Sequence, residues 1–340
     1  MGKHQKQFSI SLMIGLSFIF HFLGLSSSRI VRTETIQEIG SFPSEDAAPA
    51  SVFLNRSLYM DKDLAGNIYI SNSREGNIYC FNSDGDYSST IGRKGQGPGE
   101  LSYPTNILVT DELVIVQDIG NHKMQIFNKA GKALSSFKLY KTYENIVLNK
   151  GKMIIYAAPM LGNPKENLVD VLDLDGKMLK SFGSPLEYEH KWATLNSVRL
   201  ALMDNGELIL GFAFLPIIRR YSPEGRLLAE HRIDYEPSVE KGKENLARYR
   251  KSLAKRTNPA FYMIIHCLRV ERDRMFLLST SPGVTVLEYD NALSLKKIYV
   301  GIIEEDYFAN DFIIKEAGGQ IFFYLLQVLP ENIVNIFGRK

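Results

Sequence analysis

The sequence predicts an all-β fold, a six-bladed β-propeller of four-stranded antiparallel blades, on three observations. A short turn phrase returns at a nearly constant period, strand-like runs flank every copy, and a single strand is left over at the N-terminal end. The phrase reads Tyr79-Cys-Phe-Asn-Ser-Asp-Gly85, Gln125-Ile-Phe-Asn-Lys-Ala-Gly131, Asp170-Val-Leu-Asp-Leu-Asp-Gly176 and Arg219-Arg-Tyr-Ser-Pro-Glu-Gly225. A fifth copy, Leu287-Glu-Tyr-Asp-Asn-Ala-Leu293, has leucine where the others have glycine. The glycines stand 46, 45 and 49 residues apart and Leu293 follows after 68. A period of this size marks propeller blades or solenoid units.

Each copy joins two short runs. Asp-Gly or Ala-Gly between such runs predicts a hairpin, because glycine enters positive φ without steric cost. Before each turn come β-branched and aromatic runs: Asn67–Ile70, Leu113–Val116, Met153–Tyr156, Leu208–Phe212 and Met275–Leu278. Ahead of those lie Ile107–Val109, Ile146–Leu148, Val198–Leu202 and Met263–Leu268. Each unit thus supplies about four strands, one antiparallel blade. After Val300 the runs Asp311–Ile314, Gln320–Leu326 and Asn332–Phe337 give three strands of a sixth blade. The missing fourth is predicted at Thr35–Gly40, whose sequence aligns with Ser88–Gly92 and Leu179–Gly183. Laid beside the last three strands it closes the ring and removes an open sheet edge. An open β-sandwich needs neither the regular period nor the leftover strand.

One helical insertion is predicted near 237–256, where Val239, Leu246, Tyr249 and Leu253 share a stripe among lysines and arginines. It fills the long gap between the fourth and fifth turns, against one end of the ring. Its basic face is read as solvated, with a lid or docking element as the alternative.

With 40 basic and 38 acidic residues the formal charge is only +2, and nothing calls for nucleic acid. Lys3, His4 and Lys6 precede an apolar run from Phe8 to Leu25 and then Ser26-Ser-Ser28, the layout of an export signal. The organisation expected is residues 1–28 as signal peptide or uncleaved N-terminal anchor, then 29–340 as a single six-bladed propeller domain. Membrane attachment is expected only through residues 8–25, and the protein is expected to be exported and monomeric. Cys80 and Cys267 lie in apolar runs of distant blades and are read as separate buried thiols.

Gly92-Arg-Lys-Gly95-Gln-Gly97-Pro-Gly99-Glu-Leu-Ser-Tyr-Pro104, followed by Val114–Asp118, Asn121, Lys123 and Gly131, closely resembles the NHL repeat. The resemblance is strong over residues 92–131, extends as a blade skeleton from 60 to 232, and is poor in the last two blades. It implies a six-bladed NHL-type propeller of the exported bacterial kind. Asp118 and Asn121 fit the family's positions, while Lys123 replaces the more usual arginine. Physically, Asp118 and Asn121 flank a tight turn where short polar side chains accept backbone N–H bonds. Lys123 is expected to lie along the blade with its ammonium in water. The glycine cluster serves a cramped crossover rather than a phosphate cradle, because no helix and no Lys-Ser/Thr pair follow it.

Innermost strands are expected to start near Phe53, Tyr103, Tyr143, Asn196, Tyr262 and Phe308. Polar residues near those starts are Arg56, Asn106, Asn145, Arg199, His266 and Asp311, candidates for one channel mouth. Singly, each also reads as a satisfied strand-end residue. His122 belongs to a repeat turn and His231 to an outer strand, so neither should face the axis. With His190 and His266 they are the only histidines after the apolar run, too few for an obvious zinc site. No metal or other cofactor is expected, although Ca2+ held by Asp, Asn and carbonyls would need no histidine. No Gly-x-Ser-x-Gly elbow occurs. These features favour a binding or scaffold module for a peptide, protein or small solute. The alternative, which the resemblance leaves open, is a metal-dependent lyase or hydrolase at the channel mouth.

Overall fold

Six four-stranded antiparallel units stand around one axis, and each innermost strand packs against the innermost strands of the blades on either side. The structure is a computed structural model, described here for residues 31–340 except 44–48, 50–51, 164, 190–191, 256, 258, 281–282, 302, 304–306, 330 and 340. The expected signal or anchor and His190 lie outside the described residues. Among the described residues no helix is long and apolar enough to cross a membrane.

From the axis outward, blade one holds Ser57–Lys62, Ile68–Asn72, Asn77–Phe81 and Tyr87–Ile91. Blade two holds Pro104–Val109, Leu113–Asp118, Lys123–Asn128 and Ala133–Lys138. Blade three holds Tyr143–Asn149, Ile154–Pro159, Val169–Leu172 and Met178–Phe182. Blade four holds Val198–Leu202, Leu208–Phe212, Ile217–Tyr221 and Leu227–Arg232. Blade five holds Cys267–Glu271, Arg274–Ser279, Val284–Tyr289 and Leu295–Gly301. In blade six Phe308–Ala317, Gln320–Leu329 and Ile333–Gly338 are completed by the N-terminal strand Arg32–Phe42.

That N-terminal strand serves two blades. Arg32–Ile36 pairs in parallel with Lys297–Gly301 of blade five. After that, Gln37–Phe42 pairs antiparallel with Val334–Gly338, shifting register between Glu38 and Gly40. Blades five and six therefore share one eight-stranded sheet. The closure expected from Thr35–Gly40 is present and longer than expected.

The repeated phrase folds the same way in each copy. Its fourth residue holds the turn: Asn82 Oδ1 accepts from the N–H groups of Asp84 and Asp86, both at 2.9 Å. Asp173 Oδ1 accepts from Asp175 at 3.0 Å and Lys177 at 2.9 Å. In the fifth copy Asp290 Oδ1 accepts from Ala292 at 3.0 Å and Ser294 at 2.8 Å. Gly85, Gly131, Gly176 and Gly225 sit at φ 94°, 81°, 82° and 89°. Leu293 occupies the same left-handed region at φ 59°, yet is buried among Ile233 and Tyr289.

The core lies between blades, where side chains from facing sheets interlock. Leu108, Ile115 and Met124 of blade two meet Ile146, Ile155 and Leu172 of blade three. Closure is apolar as well: the Phe42 ring of the N-terminal strand lies 5.1 Å from that of Phe81 in blade one.

Two expectations need correction. The innermost strand of blade five begins at Cys267 and not near Tyr262, because Tyr262 bonds Asn245 of the inserted helix and the N–H groups of Ile264 and Ile265 go to Ala213 O beside blade four. The helix Glu236–Lys255 is present, but the stripe that seats it is Ser238, Gly242, Asn245, Tyr249 and Ser252. Of the expected stripe only Tyr249 is fully buried, and Leu253 is exposed. The reason is close approach and polar bonding. A Cβ on Gly242 would lie 2.5 Å from Pro216 Cδ. Asn245 donates to the carbonyls of Phe214 (2.8 Å) and Tyr262 (2.7 Å) and accepts from Tyr262 N–H at 2.8 Å. Hydrophobic periodicity does not register a face built this way.

Candidate functional site

The axial channel is built by inner-strand side chains, and most of the polar ones are occupied in joining blade to blade. Asp61 Oδ2 accepts from Val109 N–H at 2.7 Å, blade one to two. Asn106 Nδ2 donates to Tyr143 O at 3.3 Å, blade two to three. Asn145 Oδ1 accepts from Leu200 N–H at 2.8 Å, blade three to four. Arg199 Nε donates to His266 O at 2.9 Å, blade four to five. Arg269 Nε donates to Phe312 O at 2.9 Å, blade five to six. Asp311 Oδ2 accepts from Met60 N–H at 3.0 Å and completes the circuit, blade six to one. Every junction thus carries at least one bond from an inner-strand side chain to the next blade's backbone. Each satisfies a buried group that would otherwise cost about 1–3 kcal/mol.

The six residues singled out in the sequence take these places. Asn106, Asn145, Arg199 and Asp311 are four of the fasteners. His266 supplies a backbone acceptor, while its ring is buried edge-on to Phe308 and Nδ1 accepts from Thr280 N–H at 3.3 Å. Burial, then Arg199 and Lys241, lowers the His266 pKa to about 3, so the ring is neutral. Arg56 stands apart, exposed at φ 54°. Asp61 and Arg269, equal members of the circuit, lie further along their strands than the search for strand starts reached.

At the inner-strand starts the channel is crossed by protein. Tyr59 of blade one donates to Glu144 O of blade three at 2.8 Å. Burial pushes its hydroxyl up to about 12, so it stays a donor. Ser197 Oγ donates to Glu144 Oε2, and Arg199 Nη1 lies 3.7 Å from the same oxygen.

The opposite end is open. Where the inner strands finish, a funnel of about 690 Å³ draws walls from all six blades. Leu148, Leu202, Val270 and Ile313 supply apolar surface. Lys150, Asp204, Arg272 and Glu316 are charges toward the rim, and Asp61 and Arg269 belong to its lining. Lys62 Nζ meets Glu271 Oε2 at 2.9 Å, and Arg272 Nη1 meets Glu316 Oε2 at 2.8 Å. Burial, with Asp273 and Glu271 nearby, raises the Asp204 carboxyl above its ordinary value. Among the described residues no three His, Cys, Asp or Glu side chains group as metal ligands.

A second polar cluster ties the glycine-rich crossover to blade two. Asp118 is fully buried and accepts from Ser102 N–H (3.1 Å) and Tyr103 N–H (2.9 Å). Asn121 Nδ2 donates to Asp118 Oδ2 at 2.6 Å and Gly95 O at 3.0 Å, so it acts as a donor and not as the expected acceptor. Lys123 Nζ reaches the carbonyls of Gln96 and Gly97, both at 3.4 Å. This cluster holds the crossover and lies away from the axis.

The comparisons agree with this architecture. A family model described as a 6-bladed beta-propeller, DUF5128, matches residues 53–218, blades one to three and half of blade four. No curated protein matches the sequence. A solved Bacteroides fragilis protein described as exported is similar at TM-score 0.58 and 15% identity, covering 90% of this chain and 99% of its own. A DUF4221 protein from Bacteroides vulgatus also has TM-score 0.58, at 10% identity, covering 91% of this chain and 96% of its own. A streptogramin B lyase is similar at TM-score 0.51 and 11% identity, covering 87% of this chain and 80% of its own. At these identities the likeness establishes a shared fold. The chain is a six-bladed β-propeller.

Proposed function

We propose that this is an exported, non-catalytic propeller of NHL type whose funnel seats a small solute or the end of a peptide. One observation carries the reading: a cavity of about 690 Å³, mixed in charge and partly apolar, lies over a channel closed by cross-blade hydrogen bonds. Its size falls in the range of small-molecule pockets, and a rigid ring gives its lining a fixed geometry. The NHL reading is supported by the crossover of residues 92–104 and its clasp through Asp118, Asn121 and Lys123. Export is supported by the basic start, the apolar run 8–25 and the exported description of the Bacteroides fragilis relative.

The test is ligand-observed NMR of purified protein against a panel of dipeptides, amino acids, sugars and organic acids. A variant carrying Asn149→Trp and Asp204→Trp, which narrows the funnel mouth, is run in parallel. Members of the panel should bind the wild type and lose binding to the narrowed form. A silent panel, or binding indifferent to the two tryptophans, overturns the reading. N-terminal sequencing of the exported product should show a start near Arg29. A start at Met1 means an anchor instead.

A further inference from the structure

The floor of the funnel holds two opposite charges that are each only partly satisfied by protein. Arg269 reaches across the channel: Nε donates to Phe312 O at 2.9 Å and Nη2 to Met60 O at 2.7 Å and both Asp311 oxygens at 2.8 Å. Its remaining nitrogen, Nη1, stands 4.0 Å from Asp61 Oδ1. That separation is too long for a hydrogen bond. Asp61 Oδ2 accepts from Val109 N–H at 2.7 Å and the carboxylate also has Lys62 N–H beside it, while Oδ1 is the oxygen on the side of the guanidinium. The two side chains keep 26% and 18% exposure, so the gap between them remains within reach of a solute.

We infer that the funnel is built for a free α-amino acid, its ammonium on Asp61 Oδ1, its carboxylate on Arg269 Nη1 and an apolar side chain against Leu148, Leu202 and Val270. This rests on the reading of the funnel as the ligand seat. The argument is one of completeness. An amine alone leaves Arg269 Nη1 desolvated without an acceptor, and a carboxylate alone does the same to Asp61. Each omission carries the penalty of an unpaired buried polar group. An α-amino acid carries both charges on substituents of one carbon, matching two floor groups that are themselves close neighbours. The cavity leaves room for a large side chain, and its apolar wall favours leucine or phenylalanine over glycine. Burial raises the Asp61 carboxyl above its ordinary value while Arg269 and Lys150 pull it down, and an ammonium on Oδ1 would favour the ionised form in the same way as those two cations.

The experiment is isothermal titration calorimetry with L-phenylalanine and two analogues that each keep one charge, phenethylamine and hydrocinnamate. L-phenylalanine should bind at least about tenfold more tightly than either analogue. Asp61→Asn keeps an oxygen for Val109 N–H, so the variant should melt like the wild type. It should lose about tenfold in L-phenylalanine affinity, while hydrocinnamate, relieved of a like charge beside its carboxylate, should bind no more weakly. Equal affinity for all three probes, or L-phenylalanine binding indifferent to Asp61→Asn, overturns the amino-acid assignment. If another panel solute still binds and is lost on narrowing the mouth, the seat stands and only its ligand class falls. If no solute of any class binds, both fall.

Discussion

Asp311 Oδ2 accepts a hydrogen bond from Met60 N–H at 3.0 Å, joining blade six to blade one across 251 positions of the chain. The same carboxylate receives Arg269 Nη2 on both oxygens at 2.8 Å and the Cys267 thiol at 2.9 Å. One buried acid thus ties together the inner strands of blades five, six and one. Burial, then Asp311, raises the Cys267 thiol well beyond its ordinary range, so this cysteine is a donor and not a nucleophile.

Asp311→Ala should therefore cost about 3–5 kcal/mol, because it strands the Arg269 guanidinium as well as Met60 N–H. Urea unfolding measures it. Asp311→Ala combined with Arg269→Met should recover part of that loss. A double variant less stable than the sum of the two single ones would argue against a pairwise link.

Two glycines at nearly the same φ separate backbone strain from packing. A Cβ on Gly176 would sit 2.3 Å from Phe137 Cδ2, whereas one on Gly131 would meet Ile91 Cγ1 at an ordinary 3.5 Å. Gly131→Ala should cost about 1–2 kcal/mol from φ alone. Gly176→Ala should add about 1–3 kcal/mol of overpacking to that. Equal losses in chemical denaturation would show that Phe137 yields freely.

His266 gives a sign for the acid limb of stability. Its folded pKa, about 3, lies below the ordinary 6.5, so between these values the unfolded chain binds a proton that the folded chain refuses. The contribution is full above pH 6.5 and falls as pH drops toward 3, by up to about 1.4 kcal/mol per unit. His266→Gln should flatten the loss of melting temperature between pH 6.5 and 4.5 relative to wild type. An unchanged slope would mean that carboxylates alone set it.

Removing residues 34–40 deletes the middle of the N-terminal strand, which pairs with Tyr299–Gly301 of blade five and Ile336–Gly338 of blade six. The truncated chain should lose cooperative unfolding of the whole ring, seen as a broad calorimetric transition. Phe42→Ala, a milder lesion against Phe81 and Tyr324, should cost about 3–5 kcal/mol while keeping one sharp transition. A truncated form that melts as sharply and as hot as the parent would disprove closure by this strand.

Much of the fold was legible because the repeat writes itself in local chemistry. A turn glycine at positive φ and an Asn or Asp side chain accepting backbone N–H bonds are short-range requirements, and they recur at Gly85, Gly131 and Gly176. Where a copy drops its glycine, at Leu293, the turn survives because Asp290 still caps it and the leucine is buried. The seated face of the helix was not legible, since Ser238, Gly242 and Asn245 work through close approach and hydrogen bonds. The channel was legible only in part. Polarity near strand starts found Asn106, Asn145, Arg199 and Asp311, but not that their bonds go to neighbouring blades. Asp61 and Arg269 were missed because their partners, Val109 and Phe312, come from other blades, and sequence spacing does not encode which strands become neighbours.

The double pairing of Arg32–Phe42 also has a consequence for biogenesis. These residues are made early, yet half of their partners, Val334–Gly338, follow only after five whole blades have been synthesised. Until then the strand has a bare backbone ladder with nothing to bond, a template for pairing with other chains. Joining segments five blades apart carries an entropic charge of about 5 kcal/mol, met only once Val334–Gly338 has been made. The ring therefore cannot close before its sixth blade has been made, and any holdase that shields the nascent chain must release the first strand last.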